Sequence, residues 1–193
     1  MALKTWKDDR VTIIKLDTLE EEGYQALRGT FEVEGTNVFE IMNLIIDVDG
    51  YDWVEGESKS EMLYISQRDT SFTFDFFVDI PWFFIKKTGR ARVDITYTDG
   101  VFTTKSTQLK DYQPRKGYDI VDFYSAQWQL EPINTRDVKV TYLGVYKDVK
   151  MLINLNSFII NRIRKRLNAT FHNLIDLTKN KPKPAQVMVW PKV

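Results

Sequence analysis

The sequence predicts an α+β domain in which one curved antiparallel sheet grips a long C-terminal helix. Three observations predict it. Short runs with a side-chain period of two fill the middle of the chain, and an apolar stripe of helical spacing follows them. Between them, FTFDFFVDIPWFF (72–84) puts six phenylalanines and a tryptophan into thirteen residues.

Each element has its own signal. Trp6 precedes a polar turn, Lys7-Asp8-Asp9-Arg10, and VTIIKL reads as a short strand. In ALRGTFEVE (26–34), Leu27, Gly29, Phe31 and Val33 alternate with Arg28, Thr30, Glu32 and Glu34, the pattern of a half-buried strand. Thr36 or Asn37 then caps a helix on which Val38, Ile41, Met42, Ile45 and Ile46 recur at helical spacing. Strand-like runs follow at 61–67, 71–79, 90–98, 101–109, 119–132 and 137–147. Asp99-Gly100 is a two-residue hairpin signal, because both turn positions need positive φ. Phe72, Phe74, Phe76 and Val78 share one face of their run, opposite Ser71, Thr73, Asp75 and Asp79. Antiparallel strands with one apolar face need a cover. The segment 151–179 supplies it: Leu155, Ile159, Ile163, Leu167, Phe171, Leu174 and Ile175 line one side over about six turns. The expected organisation is a single domain over 1–179 and a proline-rich tail over 180–193, whose VMVW adds an edge strand, docks on a partner or stays loose.

Composition narrows the function classes. Lysine plus arginine equals aspartate plus glutamate, 27 each, so the basic excess of a nucleic-acid binder is missing. The chain has no cysteine, which removes disulfides, thiolate metal sites and cysteine nucleophiles together. MALKTWKDDRVTIIK carries no apolar signal-peptide core. The expectation is a soluble protein of the cytoplasm, with the periplasm open to it if a signal peptide has been removed. Asp75, Asp79 and Pro81 break the aromatic run, so it is no membrane-spanning helix. Core or pocket remains.

The order of elements resembles the helix-grip fold of the START (StAR-related lipid-transfer) domains and of birch-pollen-allergen-like proteins and polyketide cyclases. Asp47 and Trp53 match a "D…W" after the first helix, and Pro81-Trp82 match a Pro-Trp-Pro at the entry to a central strand. Trp128, Leu130 and Pro132 match a "W-x-l-x-P" strand end, and Tyr142, Phe158 and Asn161 match the last strand and the opening of the last helix. The match runs over roughly 6–178. Phe83 replaces the motif's second proline, Lys87-Thr88 stand for its Arg-Asp, and Asn156 stands where a proline opens the helix.

The resemblance implies a space between sheet and helix that holds a lipid or another hydrophobic small molecule, without cofactor or covalent step. Its lining would be Phe72, Phe74, Phe76, Trp82, Tyr97, Tyr124, Trp128, Tyr142, Ile159 and Ile163. Three of these are tyrosines, whose hydroxyls need partners when buried. The bland reading is that the same residues form a closed core. Arg90, Arg92 and Asp94 face Asp75 and Asp79 as outer ion pairs, unless the sheet turns its faces near Pro81, in which case Arg92 anchors a ligand headgroup. Phe77 lies on the outer parity, and Phe83-Phe84 fall in a loop. They form a gate, a membrane or dimer contact, or pack under a neighbouring loop.

No catalytic residue or metal ligand is marked. Counted from Asp47, the glycine of DVDGYDWVEGE falls at position four rather than the six of a calcium loop. The single histidine, His172, flanks the helix's buried stripe, which makes it an edge residue and weakens hydrolase and metalloenzyme readings. RIRKR (162–166) is either a solvated face or a modest patch for transient contact with anionic headgroups. The rivals to a binding protein are a polyketide-cyclase-like enzyme on the same fold and a filled interaction domain.

Overall fold

The computed structural model describes residues 4–16, 24–46, 61–68, 70–80, 85–121, 124–147 and 156–180, with backbone alone at 61–68, 78–80, 85, 124, 146–147 and 156–160. In chain order the elements are β1 (Thr5–Lys7), β2 (Val11–Leu16), β3 (Tyr24–Glu34), α1 (Val38–Ile46), β4 (Glu61–Arg68), β5 (Ser71–Ile80), β6 (Ile85–Thr98), β7 (Val101–Leu109), β8 (Asp119–Ile120), β9 (Tyr124–Pro132), β10 (Asp137–Lys147) and α2 (Asn156–Asn180). Nine strands form one open, curved antiparallel sheet in the order β1-β2-β3-β10-β9-β7-β6-β5-β4. α2 packs on β2 and β3, and α1 on β7 and β9. The fold is α+β with the helices on the apolar face, as the sequence predicts.

Local chemistry sets the junctions. Asp99 and Gly100 adopt φ of 52° and 82°, so the β6–β7 hairpin closes through two left-handed residues. Asn37 caps α1: its Oδ1 accepts from the backbone N–H of Phe39 at 3.0 Å and of Glu40 at 3.1 Å. Thr36 adds a hydrogen bond from its hydroxyl to the Glu40 carboxylate at 2.9 Å. The predicted apolar stripe of α1, Val38, Ile41, Met42, Ile45 and Ile46, is buried throughout.

Two boundaries differ from the sequence reading. The run 119–132 is two strands, because β8 leaves the antiparallel path and pairs in parallel with Lys87 and Thr88 of β6. β6 itself begins at Ile85, five residues before the alternation shows, so Ile85–Thr88 are strand rather than loop. Lys86, Lys87, Thr88 and Gly89 hide that start, since their side chains do not alternate in hydropathy.

Candidate functional site: the seam between sheet and C-terminal helix

Register defines the sheet's inner face row by row. One row runs Gly29, Tyr142, Trp128, Thr104, Ile95 across β3, β10, β9, β7 and β6. The next runs Leu27, Gly144, Ala126, Ser106, Val93, Phe72 and reaches β5. Glycine, alanine and serine thus meet at the centre of the second row. That makes a trough beside the bulky pair Trp128 and Tyr142, whose ring centroids are 4.8 Å apart. Tyr142 leans along its strand into this trough: a Cβ on Gly144 would stand 2.7 Å from its hydroxyl. On β7 the inner face is polar beyond Phe102. Thr104 and Ser106 are buried, and Gln108 donates from its amide to the Val121 carbonyl at 2.6 Å.

Opposite this face, α2 seals one half of the seam. Phe171 is fully buried, stacked on Phe31 at 5.0 Å between centroids and edge-on to Trp128 at 5.8 Å. Gly29 makes that seat, since any Cβ there would run into the Phe171 ring. Leu174 and Ile175 complete the sealed half. The other half is less tight. Ile163 and Leu167 on α2, and Trp128 and Tyr142 below, keep accessible surface although all four belong to the apolar layer.

The architecture has close structural counterparts. A STAR-related lipid transfer protein fragment from Xanthomonas axonopodis superposes with a TM-score of 0.72 at 18% identity, covering 89% of this chain and 98% of that one. Human StAR-related lipid transfer protein 5 gives 0.75 at 17% identity, over 92% and 86%. The fold is that of a START-like helix-grip domain. The Zhui aromatase/cyclase from Streptomyces sp. R1128 has the same frame more loosely, with a TM-score of 0.60 at 10% identity over 81% of this chain and 94% of that one. No family model and no curated protein matches the sequence.

Within this fold the expected lining residues fall into three groups. Phe72, Phe74 and Phe76 are buried along β5 with successive centroids 6.0 and 6.1 Å apart, and Phe76 lies over Gly89. Trp128 and Tyr142 pack on each other, and both, like Ile163, lie partly buried against the core. Tyr97 keeps the inner parity but sits at the hairpin end, 41% exposed, against Phe102 and the Phe39 ring of α1. Tyr124 and Ile159 are placed by backbone only, on β9 and α2. Trp82, Phe83 and Phe84, like Asp47 and Trp53, lie outside the described residues.

Arg92 is a correction. The sheet does not invert its faces, and Arg92 stays on the outer side with Nε 2.8 Å from Asp94 Oδ1, both side chains about half exposed. Its neighbour behaves as the ion-pair reading expects. Arg90 faces Asp75 in register and binds both carboxylate oxygens, at 2.6 and 2.9 Å. That contact holds the Arg90 guanidinium above its ordinary range, against the opposing pull of burial. Phe77 is buried on the outer face, edge-on to Tyr118 at 5.4 Å and under the Arg115 guanidinium at 5.3 Å. The neighbouring-loop reading holds there. The RIRKR cluster divides: Arg162 and Lys165 are exposed, Arg164 lies 5.3 Å over the Trp6 ring, and Arg166 is partly buried.

His172 is half-buried and part of a clamp that the sequence does not show. Its Nε2 lies 2.9 Å from Asp8 Oδ2, which also accepts from Asn168 Nδ2 at 3.0 Å. Asp8 Oδ1 meanwhile accepts from the backbone N–H of Arg10 and Val11, at 2.9 and 2.7 Å, closing the β1–β2 turn. Arg10 then reaches Asp176 at 2.8 Å. Burial alone would raise the Asp8 carboxyl. The hydrogen bonds from His172, Arg10, Asn168 and Val11 outweigh it and hold the group well below the usual carboxylate range. Asp8, Asp9 and His172 bring ligating atoms within 4.8 Å of one another, but these contacts commit both Asp8 oxygens to hold the turn against α2.

Proposed function

We propose that this START-like domain binds a hydrophobic small molecule, a lipid in the first instance, between its sheet and α2. The observation that carries the reading is the unequal seam. Its C-terminal half is sealed by Phe171, Leu174 and Ile175, while Trp128, Tyr142, Ile163 and Leu167 remain accessible beside a trough of glycine, alanine and serine. A pocket needs apolar walls and a few convergent polar groups. Here the walls are Phe72, Trp128 and Ile163, and the polar groups are Thr104, Ser106 and the Tyr142 hydroxyl. Burial of the guest's apolar surface drives association, at about 25 cal/mol per Å² before the costs of binding. The named activities of the START neighbours agree with this reading. Arg162 and Lys165, on the solvent side of α2, are the groups that would meet a membrane surface during exchange.

The aromatase/cyclase neighbour keeps an enzyme in view. Such chemistry needs a base facing the guest. Among the described residues, the inner positions of β3, β7, β9 and β10 carry no aspartate, glutamate or histidine.

Native mass spectrometry of the purified protein, followed by solvent extraction, tests the proposal. The expected result is a co-purified lipid, or uptake of an added fluorescent fatty acid, at one per chain. Ala126→Leu sharpens the test by filling the trough. Over an open space it should abolish uptake and leave the melting temperature unchanged. Over a closed core it would cost about 1–3 kcal/mol by overpacking. A ligand-free mass, no probe uptake and a destabilised Ala126→Leu would together establish a closed core.

A further inference from the structure

One end of the sheet carries exposed apolar side chains from three parts of the chain. Tyr97, beside the β6–β7 hairpin, and Phe39, in the first turn of α1, are each 41% exposed, with ring centroids 5.6 Å apart and both rings against the buried Phe102. Pro132, which ends β9, stands 3.7 Å from where a Cβ on Gly100 would lie, and Ile133 after it is 49% exposed. The backbone N–H of Thr36 donates to the Arg136 carbonyl at 2.8 Å, which ties the start of α1 to the same β9–β10 turn. Of the large apolar side chains exposed among the described residues, only Ile120 lies elsewhere. This end is also acidic. Residues 34–40, 97–101 and 131–137 carry Glu34, Glu40, Asp99, Glu131 and Asp137, with Arg136 as their one basic residue. Glu131 is answered by Lys139 at 3.3 Å. α2 leaves the sheet here too. Phe171 seats on Gly29, whereas Asp176 meets Arg10, the neighbour of Val11, which pairs with Phe31. The helix therefore advances along β3 towards Glu34.

Residues 181–193, KPKPAQVMVWPKV, lie outside the described residues, and their composition is complementary to this end. They hold Lys181, Lys183 and Lys192 with no acidic residue, and one apolar run, Val187 to Trp190. We propose that this segment straps back over its own chain, its apolar run covering Phe39, Tyr97 and Ile133 and its lysines facing the acidic stretches. The reach is sufficient. Trp190 is ten residues past Asn180, up to about 33 Å of extended chain. From β3 to β6 is four strand spacings, about 19 Å. Burial of apolar surface drives the docking, and the indole of Trp190 and the thioether of Met188 are groups that aromatic rings receive well. The size of the patch selects a tethered occupant. Three side chains fall short of the roughly 800 Å² per partner that a stable complex of separate chains buries, whereas a tether supplies a high effective concentration. The strap is independent of what the seam holds.

Fluorine NMR of the full chain labelled with fluorotryptophan tests this, with the Trp190 resonance assigned from Trp190→Phe. In the wild type that resonance should stand apart from the position of free fluorotryptophan, at every protein concentration. Phe39→Ser and Tyr97→Ser should each move it to the free position, while the remaining tryptophans keep the dispersion of a folded chain. Added salt should move the wild-type resonance part of the way, since it screens the lysines from the acidic stretches, and this needs no variant to fold. A wild-type Trp190 resonance at the free position, or one that neither serine variant shifts, overturns the strap. A resonance indifferent to salt overturns the lysine contacts. One that moves with protein concentration puts the segment on a second copy and overturns docking on its own chain.

Discussion

Gly29 shows how a single missing side chain places an aromatic ring. It sits on the inner face of β3 directly across from Tyr142, and its bare backbone receives Phe171 from a helix more than 140 residues away. Gly29→Ala must push that ring off Phe31 and Trp128, which should destabilise the protein by about 1–3 kcal/mol in chemical unfolding. Combining it with Phe171→Leu should cost less than the sum of the two single changes, because both act on one contact. Full additivity would mean that the ring is not seated on Gly29. The alternation of Leu27, Gly29, Phe31 and Val33 makes the inward direction of Gly29 legible in the sequence. That it faces Phe171 is not, since period and propensity carry no long-range register. The same limit explains Arg92 and Arg166. Parity alone leaves Arg92 able to face either way, and helical spacing places Arg166 with Arg162 and Lys165, although Arg166 alone of the three is partly buried.

At the scale of elements, α2 is held by apolar contacts along one side and by a polar clamp at the β1–β2 turn. The clamp makes stability depend on pH in a definite direction. The Asp8 carboxyl titrates lower in the folded chain than in the unfolded one, so its ionised form favours folding. That contribution is complete above the ordinary aspartate value of about 4 and is lost as pH falls towards the depressed value. Asp8→Asn should therefore destabilise the protein at neutral pH by about 1 kcal/mol, a modest figure because Asp8 is a third exposed. The gap between variant and wild type should narrow below about pH 4. A gap that stays constant from pH 7 to pH 2 would rule out the clamp as its source. The elements themselves read well from the sequence where the period is clean: β3, α1, β7, β10 and the stripe of α2 appear where alternation or helical spacing puts them. β8 does not, because two exposed residues in a parallel pairing leave no periodic trace. The clamp is equally hidden, as Asp8 and His172 lie 164 residues apart.

The whole molecule has two apolar sides with separate duties. The inner face meets the helices, while on the outer face the chain after β7 crosses β5 and β6 and builds a small second core. There Phe77 lies under Tyr118 and Arg115, Thr88 is fully buried, and the Tyr112 hydroxyl lies 2.9 Å from the Thr88 hydroxyl. Phe77→Ala should cost about 3 kcal/mol, as other phenylalanine truncations in cores do. Uptake of a fatty-acid probe should nevertheless remain at wild-type affinity, since Phe77 and the seam lie on opposite sides of the sheet. Loss of uptake by a folded Phe77→Ala would show the two sides to be coupled. The long span between Asp8 and His172 also shapes how this protein is made. α2 follows all of the described strands, so a ribosome completes those strands before synthesising the helix that covers β2 and β3. A nascent chain that has reached β10 has α1 to cover β7 and β9 but not yet α2 over the β2–β3 side of the apolar face, the kind of surface that chaperones capture and that aggregation exploits. The emergence of α2 is thus what ends that exposure.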